Sequence, residues 1–374
     1  MFFAEKEKKG LIMRSIYRIM KEKAQCFGKE GISMKKSFGI LPNGQETFIY
    51  TITGGGLTAE ITDYGASLVR LWVPDREGKL EDVVLGYDDC NGYRTGDAFL
   101  GAIVGRNANR IKGASFPMGD TLVRMTPNEE TNNLHSGPDV FHRRMWKPEQ
   151  IRENAITFYL YSPQGDQGFP GAAHIRVTYT LDAPKTLKVT YDSVADRDTV
   201  FNLTSHSYFN LAGHQHTEKA LEQELILPGR TFNPDDVENI PTGEVRPVAD
   251  SPMDFRCPKA IGRDIEAAYE PLHFQEGYDH NWEAFTAPCA ILTDRESGRS
   301  MAISTDCPGI QFYAGNFLNE DGKDGVHYGF RSGIALETQF WPDSVHHPEW
   351  KQPFVKAGQK YHSETVYEFA NIEK

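Results

Sequence analysis

From about residue 36 onward, apolar residues recur mostly at every second position in short runs. Ile175, Val177, Tyr179 and Leu181 fall on one parity, with Arg176 and Thr178 on the other. This is the period of a strand with one buried face. Asp182-Ala183-Pro184-Lys185 supplies turn chemistry, and Leu187, Val189 and Tyr191 resume the alternation, so 173–191 reads as a hairpin. Similar runs occur at 57–61, 67–73, 156–161, 224–227, 289–293, 301–304 and 309–313. Long helical patterns are scarce. Many short strands without intervening helices predict an all-β protein, an antiparallel sandwich or barrel. No linker or composition break divides residues 34–374, which read as one β domain.

The stretch 201–213, Phe-Asn-Leu-Thr-Ser-His-Ser-Tyr-Phe-Asn-Leu-Ala-Gly, places His206 among hydroxyls and amides. Phe201 and Leu203 alternate with Asn202 and Thr204, which predicts a half-buried strand carrying His206. Two readings stand side by side: a core histidine satisfied by Ser205, Ser207 or Asn210, and a proton donor aimed into a polar hollow.

The net charge of −12 argues against a nucleic-acid footprint. Residues 1–40 run the other way, with ten Lys/Arg against four Glu. The apolar run 11–20 is broken by Arg14 and Arg18, too short for a membrane span and unlike a secretory signal. Residues 1–33 are therefore expected to be a poorly ordered extension, or sequence upstream of a start at Met34. The five scattered cysteines have no CxxC spacing, which predicts reduced thiols and a cytoplasmic location.

Neither a phosphate-cradling loop nor a dinucleotide fingerprint is present, and Gly54-Gly55-Gly56 leads into a strand. His346 and His347 are adjacent, and on a strand they would point to opposite faces, a poor chelate. No metal and no cofactor is expected, so chemistry falls to side chains. The candidates are Asn109 and Arg110, His135, Asp279, Gln311, and Glu337 on an apolar run where an unpartnered carboxylate is costly. Singly, each has a structural explanation, as an ion pair, a turn residue or a cap. Together with Tyr208, Phe312, Tyr313, Phe340 and Trp341, they have the composition of a sugar site, amides and charged groups for hydroxyls and aromatic faces for C–H patches.

An ordered series of motifs then carries a family resemblance. It comprises Tyr64-Gly65-Ala66, Gly-Arg-Asn-Ala-Asn-Arg-Ile (105–111), Asn-Asn-Leu-His-Ser-Gly (132–137), Gly168-Phe169-Pro170-Gly171 and Asn-Leu-Thr-Ser-His-Ser-Tyr-Phe-Asn-Leu (202–211). Tyr-Asp-His-Asn (278–281), Gln-Phe-Tyr-Ala-Gly-Asn (311–316) and Leu-Glu-Thr-Gln-Phe-Trp-Pro-Asp (336–343) complete it. From Ser37 to Phe369 the chain resembles the aldose 1-epimerase, or galactose mutarotase, family. The resemblance implies a large antiparallel β-sandwich of the galactose mutarotase type and interconversion of the α and β anomers of a free aldohexose. It implies Glu337 as base, His206 as acid, and Asn109, Arg110, His135, Asp279 and Gln311 as sugar-binding residues. A monomer or weak homodimer is expected. The two opposite charges are expected to hold each other, Glu337 as carboxylate and His206 as imidazolium. Ser136 stands where the family often has Gly, which matters only if the backbone there needs a positive φ.

A hexose-6-phosphate mutarotase is a rival, with Arg106, Arg143 and Arg144 as a phosphate cluster. A glycoside hydrolase would need two flanking carboxylates, and a non-catalytic sugar-binding module would keep the binders without the rate.

Overall fold

Alternation dictates the larger sheets of the computed structural model, which describes residues 34–373; the expectation for residues 1–33 lies outside them. The strand Ala173–Thr180 buries every second side chain and pairs antiparallel with Thr186–Ala195, with Thr180 opposite Lys188. These two strands sit in a nine-stranded sheet that runs 147–152, 155–162, 173–180, 186–195, 361–371, 299–305, 290–293, 224–226 and 259–260. A five-stranded meander covers residues 35–82. A six-stranded sheet orders 208–209, 334–339, 309–313, 279–283, 231–233 and 246–247. All strand pairs within these sheets are antiparallel. The protein is a large antiparallel β-sandwich.

The three sheets share one core, in which Val177, Tyr179 and Val189 meet Trp282, Phe312 and Leu336 together with Ile52 and Ile61. Burying these aliphatic and aromatic side chains contributes about 1.5–3 kcal/mol each. Among the described residues, helix is confined to short pieces such as Cys90–Thr95, whose N-cap Asp89 accepts from the Asn91 and Gly92 amides. No helix of the described residues is long and apolar enough to cross a membrane.

The six-stranded sheet differs from the hairpin in having both faces covered. Every residue of Ile334–Gln339 is buried. Ile334 and Leu336 join the core, and Thr338 bonds Thr365 of the strand behind at 2.5 Å. Ala335 and Glu337 therefore face the opposite way. Glu337 lies in register with Gln311, and Gln311 with Asn281. Asp279 precedes Asn281 by two, so strand parity delivers Glu337, Gln311 and Asp279 to one face.

The segment around His206 departs from its expected half-buried strand. Residues 201–211 are all buried, and regular pairing is limited to Thr204–His206 and Tyr208–Phe209. On the polar parity Asn202 is enclosed with its side chain bonded, its Oδ1 accepting from the Phe340 amide at 2.8 Å, while the Thr204 hydroxyl has no hydrogen-bond partner. His346 and His347 also differ, lying on and just after the short turn Ser344–His346 instead of a strand. Asp343 engages His346 (2.7 Å), and Trp350 stacks on His347.

Candidate active site

A cleft of about 320 Å³ opens over the outward face of the six-stranded sheet. Its lining includes Asn109, Arg110, His135, His206, Asp279 and Glu337, with Gln311 behind, bonded to Asp279. All seven residues named from the sequence are thus gathered in one place.

Two loops complete what the sheet begins. The strand Thr204–His206 pairs with Ala102–Val104, and the chain then runs through Arg106 to Asn109 and Arg110. Arg106 anchors this turn. Its fully buried guanidinium donates to the carbonyls of Ser162, Pro163, Pro170 and Gly171 and to the hydroxyls of Ser162 and Thr199. Arg110 pairs across a short ladder with Leu134, which delivers His135. Asn109, His135 and Ser136 all have positive φ (60°, 51° and 61°). Ser136 therefore occupies a left-handed position that would suit glycine, and its hydroxyl compensates. It accepts from the Asn107 amide and donates to the Asn107 carbonyl, each at 2.9 Å.

His206 and Glu337 face each other, with Nε2 3.6 Å from Oε1. They are 5% and 2% exposed, so water screens neither. His206 Nδ1 and Glu337 Oε2 have no hydrogen-bond partner. The core-histidine alternative fails on its partners, because Ser205 and Ser207 bond each other and Asn210 bonds the His216 carbonyl. The distance suits an ion pair, but burial dominates. It pulls His206 down to about 4 and pushes Glu337 well above the usual carboxylate range, with Asp279 adding to the rise and Arg110 opposing it. Burial thus works against the expected ion pair, favouring the neutral form of each group.

The binding residues are fixed by one another. Arg110 grips Glu129 through two bonds of 2.7 and 2.8 Å. Burial lowers the Arg110 pKa, and its carboxylate neighbours outweigh that effect, so it stays charged. Asp279 Oδ1 accepts from Gln311 Nε2 at 2.8 Å, and burial raises its pKa. His135 Nδ1 accepts from the Asn109 amide (3.1 Å), so its neutral ring carries its proton on Nε2. Burial holds His135 well below the ordinary imidazole value.

His135, His206 and Glu337 each offer one ligand atom within 4.8 Å of the others, a spacing open to a metal ion. The donor set does not fit one. The Asn109 amide occupies the Nδ1 lone pair of His135, and the proton on Nε2 leaves that nitrogen none.

Glu129 and Phe99 line the cleft and were not singled out from the sequence. Glu129 shares a loop with His135, and an arginine in need of a carboxylate was the available signal. Of the aromatic residues expected at the site, Tyr208 and Tyr313 line the cleft. Phe312 points into the core by strand parity, Trp341 packs on Trp350, and Phe340 sits among core residues.

The arginines proposed to hold phosphate are engaged elsewhere. Besides Arg106, Arg143 binds Asp97, and Arg144 binds Asp139 and Asp166. Among the described residues none of the three lines the cleft.

The family profile for aldose 1-epimerase matches residues 49–368. The chain belongs to the aldose 1-epimerase family. The galactose mutarotase of Mus musculus is 37% identical over 340 residues, covering 89% of this chain and 97% of that protein. The aldose 1-epimerase of Haemophilus influenzae is 36% identical over 335 residues, covering 88% and 97%. A solved GalM/aldose epimerase homologue from C. elegans has a TM-score of 0.82 at 29% identity, covering 87% of this chain and all (100%) of that one. The cleft residues, Asp97 to Glu337, lie inside the matched region, whereas the first strand, 35–40, precedes it.

Proposed function

We propose that the protein is an isomerase that interconverts the α and β anomers of free aldohexoses, glucose or galactose, with Glu337 as base and His206 as acid. The observation that carries this reading is the buried His206–Glu337 pair, 3.6 Å apart, with unpartnered atoms beside a cleft sized for one pyranose ring.

The chemistry needs one proton shared by two groups. With the closed sugar bound, Glu337 as carboxylate takes the proton of the C1 hydroxyl while His206 as imidazolium gives its proton to the ring oxygen. The C1–O5 bond breaks to give the open aldehyde. Glu337 is now protonated and His206 neutral, the very state that burial favours. Rotation about C1–C2 presents the other carbonyl face. O5 then attacks C1 and returns its proton to His206, and Glu337 protonates O1. The protein regains its starting proton count, and no cofactor is consumed. Each proton-transfer group is worth roughly 10²–10⁴ in rate.

Arg110, Asn109, His135 and Asp279 hold the non-reacting hydroxyls, with Gln311 acting from behind through its bond to Asp279, so that C1 turns while the rest stays fixed. His135 offers an N–H and Asp279 an acceptor. The partner is a neutral sugar, and the reading places the protein in the cytoplasm as a monomer or weak homodimer. The free thiols of Cys90, Cys257, Cys289 and Cys307 support that location. The engagement of Arg106, Arg143 and Arg144 weighs against a sugar phosphate.

The test is polarimetry of freshly dissolved α-D-glucose and α-D-galactose, with glucose 6-phosphate as competitor. Accelerated mutarotation unaffected by the phosphate supports the reading. Acceleration of the phosphate alone supports the rival, and no acceleration of any sugar leaves only a binding module.

A further inference from the structure

One aromatic ring, Phe99, touches all three imidazoles near the cleft. It is nearly stacked on His206, with centroids 5.6 Å apart and planes at 25°. His135 lies 4.7 Å away, and His142 packs on it edge-on at 4.4 Å. The ring is thus a wedge between the cleft histidines and the buried His142.

The backbone that carries this ring is built around His206. Phe99 has φ of 57°, a conformation that a bulky L residue rarely adopts. The Ala102 amide donates to the Phe99 carbonyl (3.0 Å), closing a tight turn, and the Gly101 amide donates to the His206 carbonyl (3.1 Å). Ala102 is the ladder partner of His206. A side chain at Gly101 would bring its Cβ to 1.9 Å from the Leu68 carbonyl oxygen, so the turn is seated on a second strand as well. Strained backbone at this place, held from two sides, puts one ring on one imidazole.

We propose that Phe99 is a positioning residue for His206, fixing the plane of the imidazole so that Nε2 faces Glu337 and keeping water off its face. The inference rests on the reading of His206 as the acid at the ring oxygen. The other ionisable groups packed on His206 are His135, Tyr208 and Glu337, with His142 behind the wedge. Of the rings among these, Tyr208 is tilted at 39° and His135 at 78°, so Phe99, at 25°, lies more nearly parallel to the imidazole than either.

The experiment compares wild type, Phe99→Ala, Phe99→Leu, Phe99→Tyr and His206→Asn by polarimetry over a range of sugar concentrations and pH, with thermal unfolding of each. Phe99→Ala is expected to lower kcat by about 10- to 100-fold, the cost of a misplaced group, with KM within about twofold. Its acid limb is expected to move toward the ordinary imidazole value as water reaches the ring. Phe99→Tyr, which keeps the ring, is expected to restore most of kcat. An unchanged kcat, or a raised KM with kcat intact, overturns the proposal, the second outcome making Phe99 a sugar platform. If Phe99→Ala does not fold, Phe99→Leu is judged by the same criteria. His206→Asn separates the two claims. A wild-type rate there removes the acid assignment itself, whereas an inactive His206→Asn beside an unaffected Phe99→Ala removes only the role of Phe99.

Discussion

Asn109 and His135 hold each other through two hydrogen bonds. The Asn109 amide donates to His135 Nδ1 at 3.1 Å, and the His135 amide donates to the Asn109 carbonyl at 3.0 Å. Both residues have left-handed backbone, so two strained positions from different loops are locked as one unit. The lock also fixes which ring nitrogen of His135 carries its proton into the cleft.

Substitutions that keep one nitrogen at a time separate these roles. In His135→Asn the amide oxygen replaces Nδ1 and the cleft donor is lost. It should retain stability and lose about 10- to 100-fold in kcat/KM, as expected for removing one buried hydrogen bond to substrate. His135→Gln should keep more activity and lose about 1 kcal/mol of stability. Kinetics and urea unfolding of both variants check this.

Ser136 gives a test of how a left-handed position tolerates a side chain. Ser136→Ala keeps the strain and strips the buried Asn107 amide and carbonyl of their partner. It should cost about 2–3 kcal/mol. Ser136→Gly loses the same bonds but relieves the backbone, and should be about 1 kcal/mol less damaging. Equal losses in urea titrations would show that the positive φ carries no cost.

The strands were legible in the sequence because one-sided burial leaves alternation behind, as in Ala173–Thr180. The segment 201–211 shows where that reading stops. Both of its faces are covered, so apolar spacing no longer reports which side chain points where, and Asn202 is buried because it is bonded. The seven candidate residues that the fold gathers at the cleft were legible through motif order. Glu129 was not, because nothing in a loop sequence says which carboxylate will meet Arg110. Nor was the direction in which burial shifts the pair, which depends on how much water the fold excludes.

Burial of His280 couples stability to pH. Its Nδ1 accepts from the Asp279 amide, and burial pulls it to about 3 from 6.5. The unfolded chain binds a proton below pH 6.5 that the native state refuses, so this contribution is complete above 6.5 and is lost as pH falls toward 3. At pH 5 the loss is about 2 kcal/mol. The difference in unfolding free energy between pH 7.5 and 5 should shrink by about that amount in His280→Gln. An unchanged difference would mean that His280 is protonated in the native state.

The shared proton also sets the pH range of activity. Burial raises Glu337 and lowers His206 to about 4, which favours a single proton on the pair, carried by the carboxyl. As pH falls through about 4, His206 takes a second proton while Glu337 keeps its own, and no base remains. The kcat/KM profile should be flat near neutrality with an acid limb near 4, read on protein shown to be folded at each pH. A limb near 6.5 would mean that burial does not depress His206.

The central claim is that one proton passes between Glu337 and His206 by way of the sugar. Polarimetry of freshly dissolved α-D-galactose and α-D-glucose with Glu337→Gln and His206→Asn tests it most directly, with circular dichroism to establish that each variant is folded. The account predicts that either change lowers kcat by at least about 10²-fold. It also predicts that the double variant is little worse than either single one, because the two groups act as a unit. Near-wild-type mutarotation by either folded variant would contradict it.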